Sequence, residues 1–261
     1  MHSDLTDQYR HRDSLIHRLD PRVKAVVTVL YILAAGLVPA GAWWGFLGLL
    51  ALLGIVGLAS RLGLGFTLRR SFVALPFALA AVPVVFTTPG AAWFRLPLVG
   101  WAVTLPGAIL MASILLRTWL AVQMAILLTA TTRFPDLIWA LGDLHLPRPL
   151  VSTIAFMYRY LFVLADETLR MMRARASRSA ALPGRPRPPV GWQARTAGGM
   201  VGSLFLRALE RSERVYAAML ARGYDGQMRS LRRFQMSPLD WGALGCTVVA
   251  LGSVILLGQI A

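Results

Sequence analysis

Apolar residues gather into five long runs, Val23 to Val38, Ala42 to Ala59, Phe72 to Thr88, Leu105 to Thr131, and Leu239 to Ile260. Each is near the roughly 20 residues with which a helix crosses a bilayer. The first two are joined by Pro39, Ala40 and Gly41, a short uncharged link of the kind an outer turn needs. The third and fourth are joined by Pro89 to Thr104, where Arg95 is the sole charge. Trp43, Trp44, Trp93, Trp101 and Trp241 fall at the ends of the runs, as interfacial aromatics do. The expected architecture is an all-α integral membrane protein with about five transmembrane helices. Pro76 and Pro83 weaken the third.

Between Thr132 and Pro238 the pattern changes. Charges recur every few residues on helix-forming sequence, and no uninterrupted apolar run reaches spanning length. Thr132 to Gly142 reads as a short helix with Pro135 in its first turn, ended by Leu146-Pro147-Arg148-Pro149. Leu150 to Ser179 reads as one helix of about 45 Å, apolar in its first half (Ile154, Phe156, Leu161, Phe162) and arginine-rich in its second. The proline-rich stretch Ala181 to Gly191 forms a linker. A second long helix spans Gln193 to Arg222, where Val201, Leu204, Phe205, Ala208, Val215, Tyr216 and Met219 make an apolar stripe at three- and four-residue steps. The predicted divisions are residues 1–132 (N-terminal segment and helices one to four), 133–238 (a long cytoplasmic arm of amphipathic helices) and 239–261 (the last span).

Composition agrees with a membrane protein: 56% of the 261 residues are hydrophobic and 15% charged, against about 25% charged in soluble domains. Between Pro21 and Pro135 there is no acid, consistent with the cost of a carboxylate in hydrocarbon. The net charge of +15 raises nucleic acid as a partner, but the distribution of the cations argues for topology instead. Of 27 Lys and Arg, five lie before or at the start of the first run, three between the second and third, and seventeen between Arg133 and Arg233. The positive-inside rule then places the N-terminus and the arm in the cytoplasm and the C-terminus outside, against anionic membrane lipid. No cleavable signal is evident in the polar first twenty residues.

Catalytic patterns are missing. Lys24, the one lysine, lacks the glycine frame of a phosphate-binding loop. The four histidines are scattered and Cys246 stands alone, so neither a metal site nor a cofactor is expected. Asp166-Glu167 is the one adjacent acidic pair, and Arg170 or Arg173 is its expected partner. Arg117 lies within the fourth run, where a charge costs roughly 2.5 to 3.5 kcal/mol. It must snorkel, bond backbone carbonyls, or meet another helix or subunit, and together with Arg159, Asp166 and Glu167 it is a candidate inter-subunit contact.

What remains is a pair of small-Arg-small triplets, Ser177-Arg178-Ser179 and Ala221-Arg222-Gly223, each closing a long polar helix. With Leu19-Asp20-Pro21-Arg22-Val23-Lys24 before the first span, the Leu146-Pro147-Arg148 break and the stretch from Tyr158-Arg159-Tyr160 to Asp166-Glu167, they make the chain resemble the transmembrane T component of energy-coupling factor (ECF) transporters, most closely the CbiQ type of cobalt importers. The resemblance implies a non-catalytic coupling subunit in a bacterial inner membrane. Its partners would be two ABC ATPases and a substrate-capturing membrane subunit of CbiM type, with a small CbiN-like subunit. It also implies that Arg178 and Arg222 dock on the ATPases, with Ser177, Ser179, Ala221 and Gly223 allowing close approach. Serines stand where the family has Ala and Gly, so Arg175 competes with Arg178 for the first position. Two other readings of the residues stand beside this one: an integral-membrane enzyme with its active site on the arm, and a secondary transporter working without ATPases.

Overall fold

The computed structural model describes residues 14–61, 65, 70–89, 92–95, 102–178, 189–226 and 234–260. The described helices are α1 (Leu15–Arg18), α2 (Pro21–Leu37), α3 (Trp43–Ala59), α4 (Leu75–Ala81), α5 (Val84–Thr87), α6 (Leu105–Thr131), α7 (Phe134–Asp143), α8 (Arg148–Arg178), α9 (Val190–Ala221) and α10 (Pro238–Ile260). The fold is that of an all-α membrane protein. Its one β element among the described residues is a short antiparallel pair, Ala92–Arg95 with Ala102–Thr104, between the third and fourth runs.

Helices α6 and α10 are long and apolar enough to cross a bilayer, and α3 is a shorter apolar helix. The expected single third span is instead a 3-10 turn (Ser71–Ala74) followed by α4 and α5. The break falls at Val82 and Pro83, where proline removes a backbone donor and disfavours helical geometry in the residue before it. Helix α8 also reaches the length and apolarity of a span, which corrects the expectation that nothing between Thr132 and Pro238 does. Its apolar first half is interrupted only by Arg159, and the arginines crowd into its second half.

The chain forms two compact units, Ser3–Leu144 with Arg232–Ala261, and His145–Leu231. Helix α7, which the charge pattern groups with the arm, packs on α2 in the first unit. The core of that unit is built from one face each of α2 (Tyr31, Ala34, Ala35, Val38), α3 (Phe46, Leu49), α6 (Leu120, Met124, Leu127) and α10 (Leu251, Val254). The Tyr31 hydroxyl donates to the Leu49 carbonyl at 2.9 Å, so its polar end is satisfied inside an apolar cluster.

Lipid tails are as apolar as leucine, so membrane helices adhere through close packing, and small residues at their contacts permit it. Helix α3 meets α10 in this way. A Cβ placed on Gly48 would stand 2.7 Å from the Val254 side chain, closer than carbon atoms approach. Gly48→Val is expected to push the two helices apart at a cost of about 1 to 3 kcal/mol, read as a lowered melting temperature in detergent. Val254→Ala in the same chain should recover part of the loss.

Arg117 of α6 finds its partner within the chain. Its guanidinium donates to the carbonyl of Val38, the C-cap residue of α2, where the helix dipole presents negative charge. One turn away, Ser113 accepts from the Gly41 backbone N–H at 3.1 Å. The two side chains therefore hold the turn between α2 and α3 onto α6. The Arg117 Nε remains buried without a hydrogen-bond partner. Arg117→Leu is expected to lower stability by about 2 kcal/mol, the upper range for a cation at a helix C-terminus. Thermal unfolding of the purified chain in detergent would measure it, with Arg117→Lys falling between the two.

Candidate functional site

In the first unit, polar chemistry concentrates at the start of α2. Asp20 caps that helix, its carboxylate accepting from the Arg22 backbone N–H at 2.9 Å, and Pro21 occupies the first helical position. The Asp20 N–H in turn donates to Asp240 Oδ1 at 2.9 Å. Asp240 lies in the first turn of α10 and also accepts from the Ser237 N–H and hydroxyl, both at 2.8 Å. One carboxylate thus ties the starts of two helices that lie 220 residues apart in sequence.

Arg22 completes the cluster. Its guanidinium pairs with Asp143 Oδ2 at 2.8 Å at the end of α7, and it donates to the Phe234 carbonyl at 3.5 Å. It lies 4.3 Å from the centre of the Trp139 ring, a cation–π distance, and Trp139 itself packs on Phe234 at 4.9 Å. Lys24, mostly buried, donates to the carbonyls of His17 and Thr131, each at 3.3 Å. Asp143 and Phe234 immediately flank the second unit, which begins at His145 and ends at Leu231. Arg22 therefore clasps the chain on both sides of the arm. Sequence reasoning noted Asp20-Pro21-Arg22 but missed Trp139, Asp143, Phe234 and Asp240. Asp240 carried a signal, since Ser237-Pro238-Leu239-Asp240 has the spacing of a capping box.

The second unit is a hairpin of α8 and α9. Arg207 of α9 donates to Glu167 of α8 at 2.7 Å, and Arg170 lies 3.6 Å from the same carboxylate. The two helices run antiparallel, with Phe156 near Tyr224 (6.4 Å between rings) at one end and Arg178 and Trp192 lining one cavity at the other. Arg178 and Arg222 accordingly sit at opposite ends of the hairpin, roughly 30 Å apart at 1.5 Å per helical residue.

Arg222 is the C-cap of α9. The Tyr224 N–H donates to Met219 C=O and the Gly223 N–H to Leu220 C=O, both at 3.0 Å, and Gly223 has φ +77°. This is the Schellman arrangement, with glycine in the left-handed position it needs. Gly223 therefore stops the helix, and nothing lies within 4 Å of where its Cβ would stand. Arg222 is exposed at that stop. At the other tip Arg178 is the last helical residue, also exposed, and Ser177 donates to Ala174 C=O at 2.9 Å. Ser179 lies outside the described residues. Arg159 and Asp166 are exposed on α8, whereas Glu167 is largely covered by its arginine partners. Among the described residues no three His, Cys, Asp or Glu side chains converge to hold a metal ion.

A multi-pass helical membrane subunit, with a polar clasp at the roots of an arginine-tipped hairpin, is the class that fold and site define. Residues 12–232 match the CbiQ family, described as cobalt transport protein, and the chain belongs to that family. It is 31% identical to the energy-coupling factor transporter transmembrane protein EcfT of Thermanaerovibrio acidaminovorans, over 96% of this chain and 94% of that one. With the cobalt transport protein CbiQ of Rhodobacter capsulatus it shares 30% identity over 69% and 74% of the two chains. The nickel permease LarQ of Lactiplantibacillus plantarum is 34% identical over 42% of this chain and 38% of its own. The protein is the transmembrane component of an ECF transporter, a transporter subunit and not a catalytic one.

Proposed function

We propose that the chain is the coupling subunit of an ATP-driven cobalt importer. The observation that carries this reading is the placement of two exposed arginines, Arg178 and Arg222, at opposite ends of one hairpin. That separation suits a pair of ATPase subunits, one at each tip, whose closure on ATP moves the hairpin as a two-ended lever. A guanidinium between small neighbours can reach a carboxylate groove bidentately without steric obstruction. In this reading the N-terminus and hairpin face the cytoplasm, the C-terminus lies outside, and Arg159 and Asp166 contact a substrate-capturing subunit of CbiM type accompanied by a CbiN-like one. Cobalt is chosen because CbiQ of Rhodobacter capsulatus bears that name over about two thirds of this chain. LarQ, named as a nickel permease, matches over less than half.

The test is copurification from mild detergent followed by uptake. The wild-type chain is expected to bring down two ATPases and to support ATP-dependent cobalt accumulation in vesicles. The double variant Arg178→Ala/Arg222→Ala should insert normally yet lose the ATPases or the coupling of hydrolysis to uptake. Normal transport by that variant would refute the assignment.

A further inference from the structure

The space between α8 and α9 holds two cavities with no lining residue in common, one toward each end of the hairpin. Toward Arg178 it opens into a cavity of about 610 Å³ in which Arg170, Arg175, Arg178 and Arg207 face a single carboxylate, Glu167. Trp192, Met171 and Met200 supply apolar wall in the same cavity. Toward Arg222 lies a second, mostly apolar cavity of about 520 Å³, lined by Phe156, Tyr160, Leu164, Val215, Tyr216 and Met219, with Arg211, Ser212 and Glu213 on its α9 wall. Both volumes fall in the range of ligand sites, about 300 to 1,000 Å³. The Glu167–Arg207 ion pair, 2.7 Å long, lies at the margin of the basic cavity, between its guanidiniums and the aromatic stretch.

A site with four guanidiniums at one end and an aromatic and aliphatic trough at the other matches an amphiphile bearing a negative head. We propose that this groove binds one anionic phospholipid, its phosphate held among Arg170, Arg175 and Arg207 and one acyl chain lying along Leu164, Tyr160 and Phe156. Arginine suits the head because its planar fork pairs with two phosphate oxygens at once. The trough suits the chain because its walls offer apolar surface that water solvates poorly. A soluble phosphate would use the basic end alone and leave the trough unexplained. A zwitterionic lipid would place its own cation among the guanidiniums. The binding belongs to this chain by itself and needs neither ATPases nor substrate subunit, so it stands or falls separately from the coupling reading.

The test uses the full chain, delipidated in neutral detergent and titrated with dioleoylphosphatidylglycerol, dioleoylphosphatidylcholine or inorganic phosphate, with bound species counted by native mass spectrometry. The wild-type chain is expected to hold one phosphatidylglycerol saturably, in preference to phosphatidylcholine and to inorganic phosphate. A guanidinium near an anionic lipid surface is worth a factor of about five, so Arg170→Gln/Arg175→Gln should weaken binding roughly twenty-five-fold. Arg170→Lys/Arg175→Lys should recover much of it, and Phe156→Ser should weaken phosphatidylglycerol while leaving phosphate unchanged. Equal binding of phosphatidylcholine would overturn the site, and so would inorganic phosphate competing as well as the lipid. Because the lipid preference is read on the wild-type chain, a variant that failed to fold would not rescue the proposal. Cross-linking of a photoreactive residue at position 200 to a protein subunit, and not to lipid, in the assembled complex would also overturn it.

Discussion

Replacing Arg22 with alanine is expected to destabilise the membrane unit by about 3 kcal/mol, the lower end for breaking a buried ion pair. The lower end applies because the two carboxylates differ in exposure. The Asp20 side chain is 1% exposed, whereas that of Asp143 is 47% exposed. Asp143 can take up water when the guanidinium leaves, so its share of the loss is small. Asp20 cannot. Its Oδ2 already lacks a hydrogen-bond partner, and the Arg22 Nε lies 3.8 Å from its Oδ1. Loss of the Trp139 contact adds to the cost, since a partly desolvated cation–π pair contributes about 1 kcal/mol or more. Arg22→Lys keeps the charge but loses the planar stack and the reach to the Phe234 carbonyl, so it should recover less than half. Thermal unfolding of the full chain in detergent reads these changes. A double-mutant cycle with Asp143→Ala isolates the exposed pair, whose coupling is expected to be below 1 kcal/mol. Because the clasp holds the chain just before and just after the arm, Arg22→Ala should also lower transport at temperatures where the chain is still folded. Unchanged uptake in a destabilised chain would limit the clasp to folding.

Arg222→Ala and Gly223→Ala should separate docking from helix termination. At Arg222 the side chain is exposed and makes no ion pair with a described residue, so removing it should alter stability by no more than about 0.5 kcal/mol. Its effect on coupled uptake is expected to be large, a loss of tenfold or more, because a bidentate, charge-assisted contact contributes roughly 1.5 to 3 kcal/mol. At Gly223 the order reverses. The backbone sits at φ +77°, which costs a residue with a Cβ about 1 to 2 kcal/mol, so Gly223→Ala should loosen the Schellman cap and move the Arg222 tip. Gly223→Asn, which tolerates the left-handed region, should restore most of the stability. If Gly223→Ala abolished uptake while Arg222→Ala did not, the triplet would be a helix stop with no docking role.

Much of the fold was legible because apolar run length is a direct consequence of bilayer thickness. Leu105 to Thr131 is a helix over the same residues that the run predicts, and α10 begins one residue before its run does. The two polar helices were legible for a different reason. Pro147 and Pro149 mark the start of α8, and Gly223 the end of α9, each acting through its own backbone limits. The third span was not legible as a broken helix, since Pro76 and Pro83 both sit in apolar sequence and only the chain geometry shows that the turn falls at Val82 and Pro83. Nor did the span count anticipate that α8 is long and apolar enough to cross a membrane, because spans were sought as uninterrupted apolar runs and Arg159 divides the apolar first half of this helix.

Chemistry that depends on distant residues was the part hidden in the sequence. Arg117 posed a clear question, a cation without a nearby acid, and the partner is a carbonyl at the end of another helix. Every residue has such a carbonyl, so no pattern of side chains announces it. In the same way Arg22, Trp139, Asp143, Phe234 and Asp240 carry no common spacing, and the clasp exists only once α2, α7 and α10 have packed. The sequence alone determined the membrane class, the absence of acids from the first spans, the polar arm and its arginine tips, since these follow from solvation and local backbone preference. The tertiary structure decided that the tips lie at opposite ends of one hairpin, that its groove is basic at one end and apolar at the other, and that a single arginine holds both roots. Those are distances between residues far apart in the chain, and packing alone sets them.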